Sequence, residues 1–287
     1  MSENFSRRKL MKASLLAGAG ALTWGKSMAE NPPQPLKGHV HHSVSRWCFG
    51  KISLEDLCRF SKEIGIESVE LLGPEDWDTV KKFGLTCAMP SGPGGIAEGW
   101  NRVENHDHLV SESERYLAMI QAAGFSNMIL MSGNRRGLSD EEGIENCVKG
   151  LQRILPLAEK LGITLCMELL NSKVDHKDYQ CDHTAWGAEL AARLSSERFK
   201  LLYDIYHMQI MEGDVVRTIR ENIQYIGHFH TGGVPGRGEI DGGQELNYPF
   251  IIKSIVDLGY KGFIGQEFVP QRDPLTSLRE AIHICDV

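Results

Sequence analysis

Lys160-Leu161-Gly162-Ile163-Thr164-Leu165-Cys166-Met167-Glu168-Leu169-Leu170-Asn171 is the stretch on which the reading of the fold turns. Its glycine ends an amphipathic helix, a place where the left-handed backbone that closes the last turn costs glycine nothing. The strand behind it is apolar almost without alternation, as in a parallel sheet covered on both faces. The same unit recurs along the chain. Glu63-Ile64-Gly65 precedes 68–72, Phe83-Gly84 precedes 86–89, Ala122-Ala123-Gly124 precedes 127–131, and Asp257-Leu258-Gly259 precedes 262–269. Helices that alternate with buried strands build a parallel α/β sheet. Counting the units predicts eight strands, at about 41–49, 67–72, 85–90, 127–132, 163–170, 200–206, 225–230 and 262–268. Eight such units close into a single (β/α)8 TIM barrel over 40–287. A doubly wound open sheet is the competing architecture, but no glycine-rich phosphate turn follows the first strand.

The chain has 287 residues, 41% hydrophobic and 24% charged, which is enough apolar material for one large core. Seven cysteines stand singly without a CxxC pair, so they read as small buried apolar residues rather than a disulfide or zinc framework. Residues 1–29 read as a targeting segment. Ser6-Arg7-Arg8-Lys9-Leu10-Met11-Lys12 is a twin-arginine pattern, a short apolar run follows, and Ser27-Met28-Ala29 supplies small residues around a cleavage point. The run is too short to span a bilayer, and the proline-rich 30–39 reads as a linker. The expected product is a periplasmic enzyme exported already folded. Removing 1–29 takes away five basic residues and one acid, and moves the net charge from −7 to −11. So acidic a chain is unsuited to nucleic acid or to anionic lipid.

Barrel active sites lie at the C-terminal ends of the strands. Glu168 sits in one otherwise apolar strand, Asp204 ends Leu201-Leu202-Tyr203-Asp204, and His207 follows three residues later. His228 and His230 alternate with Phe229 and so face one side of their strand, and Glu267 follows Phe263-Ile264-Gly265-Gln266. Three buried carboxylates and an imidazole converging at adjacent strand ends would repel one another without a cation. One divalent metal ion resolves the conflict, and hard oxygen donors with one imidazole suit Mn2+ or Mg2+, with Co2+ or Zn2+ also compatible. The loop Thr231-Gly232-Gly233-Val234-Pro235-Gly236-Arg237-Gly238-Glu239 is glycine-rich and shaped, and Arg237 within it is able to hold a carboxylate through two bonds. Trp47 and Phe49 read as a pocket wall or a barrel plug, Glu70 and Asn171 as supporting partners, and His41-His42 as solvent-facing.

At these residues the chain resembles hydroxypyruvate isomerase, within the xylose isomerase-like TIM barrel superfamily. The likeness runs through 203–213, 219–221, Gly227-His228, 234–239, 245–249 and 259–263. It implies that Glu168 and Glu267 both bind metal and act as the catalytic acid/base pair, that Asp204 and His230 complete the coordination, and that His207 and Arg237 bind substrate. Hydroxypyruvate isomerases commonly carry Gln where this chain has His230, whereas the related ketose 3-epimerases carry His. The reaction implied is conversion of hydroxypyruvate to 2-hydroxy-3-oxopropanoate (tartronate semialdehyde) through an enediolate. A ketose 3-epimerase or another sugar isomerase is the alternative, and a non-catalytic sugar-binding barrel stands beyond it. An apurinic-site endonuclease shares the barrel type but needs a basic DNA-binding face that an acidic chain lacks. The expected partner is a small hydroxy-carbonyl or sugar substrate, without nucleic acid or a membrane span; a homo-oligomer is left open.

Overall fold

The computed structural model describes residues 35–287; the export signal expected at 1–29 and the first part of the linker lie outside the described residues. Seven parallel strands form one sheet: β1 (His41–Ser45), β2 (Ser68–Glu70), β3 (Asn127–Leu130), β4 (Thr164–Glu168), β5 (Phe199–Asp204), β6 (Ile226–Thr231) and β7 (Phe263–Gln266). Their order is β2-β1-β7-β6-β5-β4-β3: consecutive strands are neighbours except β2 and β3, and the first strand pairs with the last, β1 against β7. The helices between them are α1 (Leu54–Glu63), α2 (Trp77–Lys82), α3 (His106–Ala123), α4 (Asp140–Leu151), α5 (Leu155–Leu161), α6 (Thr184–Leu194), α7 (Ile205–Met211), α8 (Val215–Asn222), α9 (Tyr248–Asp257) and α10 (Pro274–Cys285). The glycines that end the sequence units, Gly65, Gly84, Gly124, Gly162 and Gly259, all carry φ between 67° and 88°. The signal read from sequence is therefore the device that turns each helix back toward the sheet.

The eighth strand, expected at 85–90, is not a regular strand. It occupies the gap between β2 and β3 as an extended segment. On one side Val69 N donates to Thr86 O (3.1 Å) and Leu71 N to Met89 O (2.8 Å); on the other Ile129 N donates to Pro90 O (3.1 Å). Two features prevent a full ladder. Pro90 has no N–H to give, and the Ala88 N–H is taken by the side chain of Ser68 at 2.8 Å. The ring of staves still closes, with seven regular strands and one irregular member. The first strand is also shorter than expected, because Arg46–Phe49 turns into a 3-10 helix.

Leu57, Leu117, Ile120, Leu151, Leu165, Met167, Leu190, Leu201, Phe229, Ile252 and Leu278 share one continuous core, which joins the helices to the strands they cover. Six of the seven cysteines are buried and all are free. His42 departs from expectation: it is 1% exposed, with neither ring nitrogen hydrogen-bonded, while its neighbour His41 meets Glu67 near the surface. Among the described residues no helix is long and apolar enough to cross a membrane.

Leu165 lies fully buried in the middle of the sheet. Leu165→Ala is expected to lower unfolding free energy by about 2–5 kcal/mol, measured as a shift of the urea midpoint at unchanged slope.

Candidate active site

Glu168 closes β4, Asp204 closes β5, His230 stands one residue from the end of β6, and Glu267 follows directly on β7. Parallel neighbours bring them to the same end of the sheet: His230 pairs with Asp204 on one side and with Gly265 on the other, Glu168 pairs with Leu202, and Glu267 lies two residues beyond Gly265. One ligand atom from each of the four lies within 4.8 Å of all the others, and all four residues are buried. Nδ1 of His230 is 2.6 Å from Glu267 and 3.3 Å from Glu168, yet meets neither with the angle of a hydrogen bond. A buried imidazole nitrogen aimed among three carboxylates, with no proton acceptor aligned to it, is the arrangement of a ligand facing a cation site.

Asp204 does two jobs. One oxygen caps α7 by accepting the His207 N–H at 3.1 Å, and the other accepts from Arg237 Nη2 at 2.7 Å. The same Nη2 lies 2.6 Å from Glu267, and Arg237 Nε donates to the Glu267 backbone carbonyl at 3.0 Å. The glycine-rich loop holds the guanidinium there. Gly233 N donates to Gly238 O across it, and the Tyr248 hydroxyl, at the start of α9, clamps Gly232 through both its N–H and its carbonyl. Trp47 and Tyr206 flank the guanidinium at 5.5 and 4.9 Å from their ring centres. Trp47 also donates its indole N–H to Glu267 Oε1 at 2.5 Å. Of the two aromatics left open between wall and plug, Trp47 is thus part of the site, and Phe49 packs edge-on against Phe268 in the core.

His207 is fully buried, and burial together with Arg237 holds it well below its usual pKa, hence neutral. The Asn171 backbone N–H donates to its Nδ1 at 3.1 Å, which leaves the ring proton on Nε2. Nε2 abuts Arg237 Nη1. The two side chains thus stand together beside Glu267 and Asp204.

The charges in the cluster are unequal. Burial pushes Glu168 up to about 7; the neighbouring His230 opposes this, while the charges of Glu267 and Asp204 reinforce it. Burial likewise lifts Asp204 to about 6 against the pull of Arg237. Burial works against the charge of Glu267 too, but His230 and Arg237 overcome it and hold this carboxylate well below the usual range. His230 is raised well above its usual value despite burial, chiefly by Glu267.

A cavity of about 600 Å³ opens over Glu168, Glu267, His207 and Arg237. Its far wall is apolar, from Leu71, Ile129, Met131 and Leu170, and is completed by the loop Ser91-Gly92-Pro93-Gly94-Gly95-Ile96. Every site residue expected from sequence is therefore brought to one place. The cavity loop was not singled out, although its glycines follow directly on the expected third strand and carry the signal. Gly92 is required there, because a Cβ would stand 2.1 Å from the carbonyl of Ile129.

Residues 58–285 match the xylose isomerase-like TIM barrel family. The chain belongs to this family. Among its relatives it is similar to hydroxypyruvate isomerase of Escherichia coli K12, with 29% identity over 240 residues, covering 78% of this chain and 91% of that one. Its fold is shared with AP endonuclease, family 2, from Brucella melitensis (TM-score 0.75, 24% identity, 83% of this chain and 97% of that one). It is shared also with D-psicose 3-epimerase from Clostridium cellulolyticum H10 (TM-score 0.71, 15% identity, 86% and 100%). At these identities the two structures speak for the fold alone.

The raised carboxylates set a pH dependence for chelator-treated protein. A carboxylate whose pKa is higher folded than unfolded adds stability below its unfolded value and loses it as pH rises through the folded one. For Glu168 that window runs from 4.5 to about 7. The melting temperature of the metal-free protein is expected to fall across it, and Glu168→Gln to flatten the fall. An equally steep decline in the variant would refute the assignment.

Proposed function

We propose that this chain is a metal-dependent isomerase of small hydroxy-carbonyl compounds, with hydroxypyruvate as the leading substrate. The observation that carries this reading is the convergence of Glu168, Asp204, His230 and Glu267 beneath the cavity, with the unbonded Nδ1 of His230 facing the three carboxylates. That donor set fits Mn2+ or Mg2+, and is compatible with Co2+ or Zn2+. The likeness to a hydroxypyruvate isomerase supports the substrate. A divalent cation held there supplies Lewis-acid polarisation of a carbonyl and of the hydroxyl beside it.

The chain's own groups account for the proton transfers. Glu267, kept ionised by His230 and Arg237 and oriented by the Trp47 indole, is the base that takes a proton from the hydroxyl-bearing C3. Glu168, facing the same cavity from β4, returns one to C2. The hydroxyl proton passes from the C3 oxygen to the C2 oxygen, so HOCH2–CO–COO⁻ becomes OHC–CHOH–COO⁻. The N–H groups of His207 and Arg237 receive substrate oxygens, and Arg237 pairs with the carboxylate.

A ketose 3-epimerase is the second reading. His230 at a position where hydroxypyruvate isomerases commonly carry Gln favours it, as does a cavity whose volume accommodates more than three carbons. Turnover assays on hydroxypyruvate and on a ketose panel, with and without Mn2+, separate the two. Metal-dependent turnover of hydroxypyruvate is expected, with kcat reduced roughly 10²–10⁴-fold in Glu267→Gln and in Glu168→Gln. Turnover of ketoses alone would replace the substrate while keeping the site.

We also read residues 1–29 as directing export through a twin-arginine route, supported by Ser6-Arg7-Arg8-Lys9-Leu10. A reporter fused behind this segment is expected in the periplasm, and Arg7→Lys with Arg8→Lys is expected to keep it in the cytoplasm; an unchanged distribution would refute the route.

A further inference from the structure

We propose that Glu70 is a positioning residue for the metal site: it crosses the barrel interior to hold His230 in the tautomer and ring orientation that present Nδ1 to the ion. The inference rests on the reading of Glu168, Asp204, His230 and Glu267 as a metal centre.

Glu70 is the last residue of β2, and His230 belongs to β6, with β1 and β7 between them. The carboxylate nevertheless reaches His230, accepting from its Nε2 at 2.8 Å, and the same oxygen accepts from His228 Nε2 at 3.1 Å. The crossing depends on Gly265. This residue pairs with Ser43 of β1 and with His230 of β6, directly in the path of the side chain. A Cβ there would stand 2.1 Å from Glu70 Oε1 and 2.8 Å from His230 Cδ2. An apolar side chain, ordinary elsewhere in these strands, is incompatible with the strut.

The consequence for His230 is chemical. With Nε2–H donated to Glu70, Nδ1 is the nitrogen that would offer its lone pair to an ion once it gives up its own proton, and it faces Glu168 and Glu267. A carboxylate behind a ligating imidazole fixes its tautomer and raises its basicity. The His228 ring stands edge-on to His230, with centres 5.1 Å apart and planes at 88°, and so restricts its rotation. A purely structural ion pair is a poorer account. Glu70 is fully buried, its second oxygen has no partner, and neither has His228 Nδ1. A half-satisfied buried cluster of this kind costs stability.

The test is Mn2+ titration calorimetry on the wild-type protein and on Asp204→Asn, Glu70→Gln and Gly265→Ala, with far-UV circular dichroism to establish folding. Wild-type binding that Asp204→Asn abolishes establishes the metal centre on its own. Glu70→Gln and Gly265→Ala are then expected to weaken Mn2+ binding by roughly 10–100-fold while leaving all four ligands in place. Binding within twofold of wild type in both variants overturns the role of Glu70 and leaves the metal centre standing. Equal binding by wild type and Asp204→Asn overturns both. A readout that needs no variant at Glu70 is histidine ¹⁵N NMR of the Mg2+-loaded protein, with His230 assigned through His230→Asn. A protonated Nε2 and an unprotonated Nδ1 are expected; the opposite tautomer overturns the proposal.

Discussion

Three carboxylates placed within a few ångströms of one another inside a protein cannot all stay ionised without positive charge among them, and the site is organised around that constraint. In the protein alone the balance is met by two cations, the imidazolium of His230 and the guanidinium of Arg237. They hold Glu267 ionised, while Glu168 and Asp204 are pushed toward their neutral forms. A divalent ion changes the terms of this balance. Held among Glu168, Asp204, His230 and Glu267, such an ion would supply the charge that lets the carboxylates ionise and the imidazole give up its proton, so that binding and proton release would be linked.

The architecture serves that constraint through register. Parallel strands deliver Asp204 and His230 as a register pair with Glu267 just past the end of β7, and the local structure beyond each strand end then specialises them. Asp204 begins a helix and spends one oxygen on its cap, leaving the other for Arg237. The loop after β6 is folded back on itself and pinned by Tyr248, so Arg237 enters the site from a hydrogen-bonded turn. The irregular stave at 85–90 leads straight into the glycine-rich loop that forms the far side of the cavity. Loss of a regular ladder there accompanies the shaping of the pocket.

The site also has a polar side and an apolar side. Ionisable groups gather around Glu267, whereas Leu71, Ile129, Met131 and Leu170 face them without hydrogen-bonding groups. A ligand bound there would be oriented by its oxygens at the polar side, with its carbons against the apolar wall. That is the environment in which charge–charge interactions act most strongly.

Much of this was legible in the chain itself. The helix–glycine–strand rhythm is a local signal, since a glycine after a helix and an unbroken apolar strand are decided by backbone sterics and two-sided burial. Isolated acids in such strands were legible too, because burying Glu168, Asp204 or Glu267 without a partner is too costly to be incidental. Only the tertiary structure decided what depends on distances across the barrel. Glu70 was visible as a strand-end acid, but its reach through the space left by Gly265 joins staves that are not neighbours. The indole of Trp47 meets a carboxylate 220 residues away, and His42 proved buried where its position near the linker suggested solvent. Such contacts arise when the sheet closes on itself, and no local periodicity encodes which residues closure will bring face to face.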